Sequence, residues 1–494
     1  MKKIILSVVL LAASAAFASQ NNVKANEEFL VKFTQEGMKV KAQLMNSFSD
    51  AGSSIEQLPL EQWILVKAQS KEQANAINSL KSQKNIIAHV QPNYKLYAAN
   101  RFQNKAAAKA LNKAPSQFQP QQEFPGMDAP KPDNPEIPAA QPVSGSGADP
   151  EFSKQWGMVD NNVKDGWSKA KGDNVIVAVI DTGVDYEHED LLPNLWRNSK
   201  EIAGNNIDDD NNGYIDDLVG WDFVSNDNKP YDFKTDLITM LTSGGNPGHG
   251  THCAGNVAAR GDNGKGIGGV APNAKIMILR FLSEKGSGTT ADAVKAVKYA
   301  VDNGAKVLSN SWGSSGEDPN DAAGNQALRD IVQYSMDKGT LFVAAAGNGD
   351  QQGKGYDNDT NSAPAYPASY THENIISVAA LDANNALGTF SNWGAKSVDI
   401  GAPGVKVFST ISGGGYSDTV ADLSFLGMGV VTWDGTSMAT PHVAGAAALY
   451  WSKNPTATWK DVKNALMTSV TSISAVQGKV TSNGKMNVQS LMNK

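Results

Sequence analysis

The sequence predicts an α/β domain, a mostly parallel sheet covered by helices on both faces, preceded by a small α+β domain. Three observations carry that expectation. Beyond residue 150, short β-branched and apolar runs alternate with helical ones. Of the 46 glycines, 41 fall there as well. Nine of the 21 prolines crowd between Pro115 and Pro150 and set this region apart from a compact stretch before it. The 494 residues, 40% hydrophobic and 19% charged, suffice for one large domain with smaller attachments and exclude a chain disordered throughout. A formal charge of -7 gives no basic footprint for nucleic acid.

Met1 to Ala18 reads as a cleaved export signal (1–18), with Lys2 and Lys3, an apolar run from Ile4 to Leu11, and the small-residue ending Ala16-Phe17-Ala18. The run is too short to span a bilayer and no later segment qualifies, so a secreted product with no membrane span is expected. Cys253 is the only cysteine, which excludes an intramolecular disulfide. In residues 27–98, Phe29, Val31 and Phe33 alternate as in a strand, and Trp63 to Val66 and Ile86 to Val90 read as others. Ala74, Ile77 and Leu80 keep helical spacing. Residues 99–148 are a Pro-rich linker, and 149–494 form the large domain. Its strands are expected at Val175 to Ile180, Ile276 to Leu279, Val307 to Leu308, Leu341 to Ala345 and Ile375 to Ala379, runs apolar on successive positions as in a sheet buried on both faces. Helices are expected at Thr289 to Asn303, closed by Gly304, and at about Ala322 to Lys338, closed by Gly339.

Sheets of this kind place their chemistry at the carboxyl ends of the strands. Asp181 ends the first large-domain strand in Val-Ile-Asp-Thr-Gly-Val-Asp, a position suited to an orienting carboxylate. His249 lies in His-Gly-Thr-His-Cys-Ala-Gly, opening a stretch that can form a buried helix. Ser437 opens an Ala- and Gly-rich helix in Asp-Gly-Thr-Ser-Met-Ala-Thr-Pro-His-Val-Ala-Gly, where its backbone N–H faces any oxyanion. Serine is a poor nucleophile near neutral pH; an imidazole must take its proton and a carboxylate must steady the imidazole, roles that His249 and Asp181 can supply. Here the sequence closely resembles the subtilisin-like serine proteases, whose triad runs Asp, His, Ser along the chain. The resemblance extends from about Asp149 to the C-terminus through Val-Ala-Pro at 270–272, Ser-Asn-Ser-Trp-Gly at 309–313, Ala-Ala-Gly-Asn at 345–348 and Ala-Pro-Gly at 402–404.

That resemblance implies a subtilisin-like fold and a serine endopeptidase, with Asn348 as side-chain donor to the oxyanion. It implies that Ser311, Trp312 and Gly313, with Ala346 and Gly347, bind an extended protein or peptide substrate, although leucine is the commoner residue where Trp312 stands. It makes residues 27–98 a propeptide, folding assistant and intramolecular inhibitor of a zymogen, whose last strand near Tyr94–Ala99 lies in the active site and is cut near Tyr97 to Asn100. The linker departs from close relatives, which run almost directly into the catalytic domain, so a second cut nearer Gly147 is a further expectation. Cys253 should lie beneath His249 as a buried thiol. The product is expected to be a monomer.

Asp208, Asp210, Asn212, Tyr214 and then Asp216 or Asp217 offer oxygen ligands around Gly213, as in the first half of an EF-hand loop, so calcium is the expected ion. Val219 stands where such loops carry a bidentate Glu. Asp181 and His249 lie 68 residues apart, about twice the spacing in compact relatives, which makes Asn198 to Gly248 an insertion stiffened by the ion. For His249 the alternatives are a core histidine or a zinc pair with His252, which lacks an evident third ligand. Two rival functions remain open, the first an aspartic protease on Asp181, which lacks a second Asp-Thr-Gly. A calcium-dependent binding protein on an inactive scaffold is the reading outside enzymology.

Overall fold

The computed structural model describes residues 27–99, 135–140, 146–237, 239–240, 245–314, 324–350, 352–424 and 429–494. The expected export signal and most of the linker lie outside the described residues.

The N-terminal unit is a four-stranded antiparallel sheet of β1 (Glu27–Phe33), β2 (Ser54–Gln57), β3 (Trp63–Ala68) and β4 (Ile87–Pro92) in the order β2-β3-β1-β4. Helices α1 (Lys41–Asp50) and α2 (Lys71–Ser79) cover one face. Phe29, Val31 and Phe33 meet Leu44, Phe48 and Ile77 there, which satisfies the alternation of β1. The other face is buried as well: Leu30, Trp63 and Leu65 pack with residues of the large domain, among them Val294, Ala327 and Ile331. The chain then leaves this unit as β5 (Lys95–Ala98).

The large domain is built on β6 (Ile176–Asp181), β7 (Gly220–Asp222), α3 (His249–Ala258), β8 (Lys275–Arg280), β9 (Ser287–Thr289), α4 (Thr290–Asp302), β10 (Val307–Asn310), β11 (Trp312–Gly313), α5 (Gln326–Asp337), β12 (Leu341–Ala345), β13 (Ile375–Leu381), β14 (Ile400–Pro403), α6 (Thr436–Lys453), α7 (Trp459–Thr468), β15 (Thr471–Ser472) and β16 (Gly484–Lys485). Nine strands form one sheet in the order β15-β16-β14-β13-β12-β10-β6-β8-β7. All neighbours pair in parallel except β15 with β16. Alternate residues of the central strands feed two layers: Val177 and Val179 pack with α3 and α6, while Ala178 and Ile180 pack with α4 and α5. This double burial is why the strands read as continuous apolar runs. Helix α5 starts at Gln326, later than the expected Ala322, because the Asn325 side chain accepts from Leu328 N (3.2 Å) and caps it; Ala322 itself lies outside the described residues.

From β6 the chain builds outward to β7 and β8, then crosses back to β10. The switch point therefore lies between β6 and β10, and Asp181 sits at its mouth. The insertion after Asn198 does more than loop out, since it contributes β7, the edge strand of the main sheet.

Candidate active site

Asp181 ends β6 with its side chain 1% exposed, and His249 opens α3 fully buried. The His249 Nδ1 is 2.7 Å from Asp181 Oδ1, which also accepts from Thr182 N (2.7 Å). Helix α3 approaches this closely because Gly250 has no side chain: a Cβ there would come within 2.0 Å of the Gly183 carbonyl oxygen. Burial works to lower the His249 pKa, but the Asp181 carboxylate, joined by Cys253, outweighs it and holds the imidazole well above its usual range. His252, one turn along, is pushed down to about 3 by burial and stays neutral, stacked on Trp433 at 4.2 Å between ring centres. Cys253 lies under the pair, its Sγ 3.9 Å from His249 Nδ1 and 3.5 Å from the Ser437 carbonyl oxygen that accepts from it. Burial raises its pKa, which favours the inert thiol.

Ser437 is the second residue of α6 and fully buried. Its one hydroxyl proton is shared between Ser311 O (3.0 Å) and the carbonyl oxygen of Ala99; it does not bond His249 Nε2, which has no hydrogen-bond partner among the described residues. Asn348 Nδ2 donates to the same Ala99 oxygen at 2.5 Å. Thr436 fixes that amide's orientation, its N–H and hydroxyl donating to Asn348 Oδ1 at 2.9 and 2.8 Å, so that only the NH₂ end can face the cleft. A Cβ on Gly435 would lie 2.9 Å from the Ala99 oxygen, 3.2 Å from Asn348 Nδ2 and 3.5 Å from Ser437 N, so the space these groups share is held open by a glycine.

Ala99 arrives on β5, which lies between β11 and β9 and pairs antiparallel with both. Ala98 faces Trp312 and Tyr97 faces Gly313 on one side; Lys95, Leu96 and Tyr97 face Thr289, Gly288 and Ser287 on the other. Ala99 N donates to Ser311 O (3.0 Å). Trp312 is fully buried edge-on to Phe281 (4.9 Å) and shares a cluster with Leu96 and Ala98. Gly347, at φ 108°, donates its N–H to Thr436 Oγ1 (3.2 Å). Ala346 turns away from the cleft into a small cluster with Ala379 and Leu381; its N–H is taken by Val378 O (3.1 Å) and its carbonyl by Asn358 Nδ2 (2.8 Å).

In the acidic loop two of the expected residues lie beside one that the spacing did not point to. Asp208 and Asp210 converge with Glu201, one oxygen of each lying within 4.8 Å of the others. Asn212 N donates to Asp208 Oδ1 (3.0 Å). Asp216 instead accepts from Gly204 N (2.8 Å) and Asn206 N (2.9 Å), and Asp217 from Asn198 Nδ2 (2.7 Å), Asn212 Nδ2 (2.9 Å) and the Tyr299 hydroxyl. The Tyr214 ring packs against Trp221 and Tyr299, each 5.0 Å away. Val219 is buried in the main core. Glu201, whose Oε1 accepts from Asp209 N (3.0 Å) and Asp210 N (3.2 Å) and whose Oε2 accepts from Asp216 N (3.0 Å), comes before the loop, where a motif read forward from Asp208 does not find it. Thr436 was legible only as part of its motif, and nothing in the spacing pointed to the buried Asp232, which bonds to Thr182 and Thr251 on either side of the Asp181–His249 pair.

An imidazole steadied by a carboxylate, a buried hydroxyl touching a peptide carbonyl, and an amide donor on that carbonyl's oxygen are the parts needed for acyl transfer through serine. Comparison with known proteins agrees. The subtilase family model, Peptidase_S8, matches residues 172–489. Thermitase of Thermoactinomyces vulgaris is 36% identical over 340 residues, 69% of this chain and 96% of that one. The thermophilic serine proteinase of Bacillus sp. (strain AK1) is 37% identical over 60% of this chain and 58% of its own, and subtilisin DY of Bacillus licheniformis is 35% identical over 61% and 86%. Among solved structures, fervidolysin from Fervidobacterium pennivorans, described as a keratinolytic enzyme related to subtilisin, shares the fold at TM-score 0.63 and 24% identity, over 96% of this chain and 62% of that one. Family model, relatives and architecture converge: the chain belongs to the subtilase family and is a subtilisin-like serine endopeptidase.

Proposed function

We propose that the protein is a secreted endopeptidase made as a self-processed zymogen, with Asp181, His249 and Ser437 as its triad. The observation that carries this is the Ala99 carbonyl oxygen, met at once by the Ser437 hydroxyl and by Asn348 Nδ2. The Ser437 oxygen attacks the carbonyl carbon while its proton passes to His249 Nε2, and Asp181 stabilises the imidazolium that forms. Asn348 Nδ2 and the Ser437 N–H take the charge that develops on the carbonyl oxygen. His249 then gives the proton to the leaving amine, and water, activated by the same imidazole, releases the acid from Ser437. Ser311, Trp312 and Gly313 align the substrate by main-chain pairing.

Residues 27–98 act as the propeptide and inhibitor, and the bond cut is Ala99–Asn100. Their docking is supported by bonds to the N-terminal N–H groups of two helices: Tyr94 O accepts from Thr290 N (2.9 Å), Asn93 Oδ1 from Ala291 N (2.9 Å) and Gln91 Oε1 from Ala327 N (3.1 Å). Lys32 pairs with Asp330 (2.5 Å), which also accepts from Trp63 Nε1 (2.8 Å). The mature enzyme acts as a monomer on protein and peptide substrates. No helix among the described residues is long and apolar enough to cross a membrane. Glu201, Asp208 and Asp210 present the hard oxygen donors that suit calcium and would hold it as a structural ion, with no part in the chemistry.

The test is Ser437→Ala in the full chain. The wild-type chain should lose residues up to Ala99, begin at Asn100 by N-terminal sequencing and take up a fluorophosphonate; the variant should do neither. A variant that still matures and cleaves casein overturns the reading, since losing this serine costs on the order of 10⁶ in kcat in the family.

A further inference from the structure

Helix α3 has no side chain of its own to close its first turn, because Gly248 stands at the cap with φ 93°. Asp232, fully buried and 19 residues before Thr251, closes it instead. Its Oδ2 accepts from Thr251 N (2.9 Å) and Thr251 Oγ1 (2.6 Å), and its Oδ1 from Thr182 Oγ1 (2.9 Å) and Asn246 Nδ2 (2.6 Å). Each partner adjoins the triad. Thr182 follows Asp181, and its hydroxyl accepts from Gly250 N (2.9 Å). Asn246 Oδ1 accepts from the N–H groups of Gly248 (3.0 Å) and His249 (2.8 Å). Thr251 Oγ1 accepts from Asp185 N (2.9 Å), which leaves its proton for Asp232.

All four of these bonds are donated to Asp232. Burial pushes the Asp232 pKa up to about 6 against the lowering effect of these bonds, so near neutral pH it is the ionised carboxylate that accepts all four, at the start of a helix whose backbone dipoles favour a negative group. An amide in its place would set an NH₂ against donors.

We propose that Asp232 is a positioning residue for the triad: it ties the first turn of α3 to the strand end that carries Asp181, and so holds the His249–Asp181 contact in its working geometry. This rests on the triad reading above. Displacing a catalytic group by about 1 Å costs on the order of 10²-fold in rate, so the effect of losing Asp232 falls on turnover, while the strands that bind substrate stay in place.

The experiment uses the full chain, where the Ala99 carbonyl is already held by Ser437 and Asn348, so the self-cut rate carries no binding step. Wild type should cleave itself and Ser437→Ala should not, which tests the triad independently. Asp232→Asn is expected to slow the self-cut at least about tenfold and, in the matured enzyme, to lower kcat per fluorophosphonate-titrated site at least about tenfold with KM within about twofold. Thr251→Ser, which keeps both donors, should match wild type. Self-cut rate and kcat per site within about twofold of wild type in Asp232→Asn would overturn the proposal, because loss of activity through unfolding alone lowers the titre and not the turnover. If Asp232→Asn does not fold, Thr251→Val, which keeps the backbone donor and loses the hydroxyl, decides the matter: a kcat fall of about threefold or more supports the proposal and an unchanged kcat refutes it.

Discussion

At the scale of single residues, the site is set by who donates to whom. Asn348 can only point its NH₂ at the cleft because Thr436 occupies its oxygen. Asn348→Ala should therefore lower kcat by about 10² to 10³ with little change in KM, read by steady-state kinetics on a peptide substrate, because the donor serves an oxygen that becomes fully charged only in the transition state. In the proposed triad His249 sets the pH dependence. There it must be neutral to accept the Ser437 proton, and Asp181 holds its pKa above the usual range against the opposing effect of burial. Activity is consequently lost as pH falls through that raised value and gained as pH rises. A kcat profile that climbs from neutral into alkaline pH is expected, and a plateau already complete at about pH 6 would contradict it.

At the scale of elements, close approach governs. Gly250→Ala puts a methyl group against the Gly183 carbonyl, a backbone oxygen that cannot swing aside. It should cost roughly 1–3 kcal/mol, seen as a lower Tm by calorimetry together with reduced turnover, since the displaced helix carries His249. How much of this was legible differs from element to element. The central strands were, because residues such as Val177 to Ile180 are buried on both faces and announce it by unbroken apolarity. The three motifs placed Asp181, His249 and Ser437 because each element end needs a special local sequence. Strand β1 was read as one-faced from Phe29, Val31 and Phe33; the second face, with Leu30, is buried only through docking on the large domain, which no local pattern encodes. The same holds for β7, three residues long, and for Glu201 and Asp232, whose partners are chosen by the fold of the insertion and not by spacing.

At the scale of the whole molecule, Cys253 supplies no cross-link. The proposed calcium at Glu201, Asp208 and Asp210 would brace the insertion that adds β7 to the sheet. Chelation should lower the Tm of the mature enzyme by roughly 5 °C or more, as a ligand bound only to the folded state requires. Glu201→Gln should lower it similarly and abolish the dependence on chelator. Equal Tm values with and without chelator in the wild type would remove the ion from the account.

The seat of β5 between β9 and β11 has a wider consequence. In the proposed enzyme a substrate takes the place of β5 only as a single extended strand with both of its edges unpaired, because both are needed for the bonds on either side. Helices, and strands already inside another protein's sheet, have no free edges to offer. Compact targets should thus be cut at the rate at which they open locally, so that the enzyme discriminates by conformation before it discriminates by side chain, sparing well-folded neighbours and consuming frayed or denatured ones.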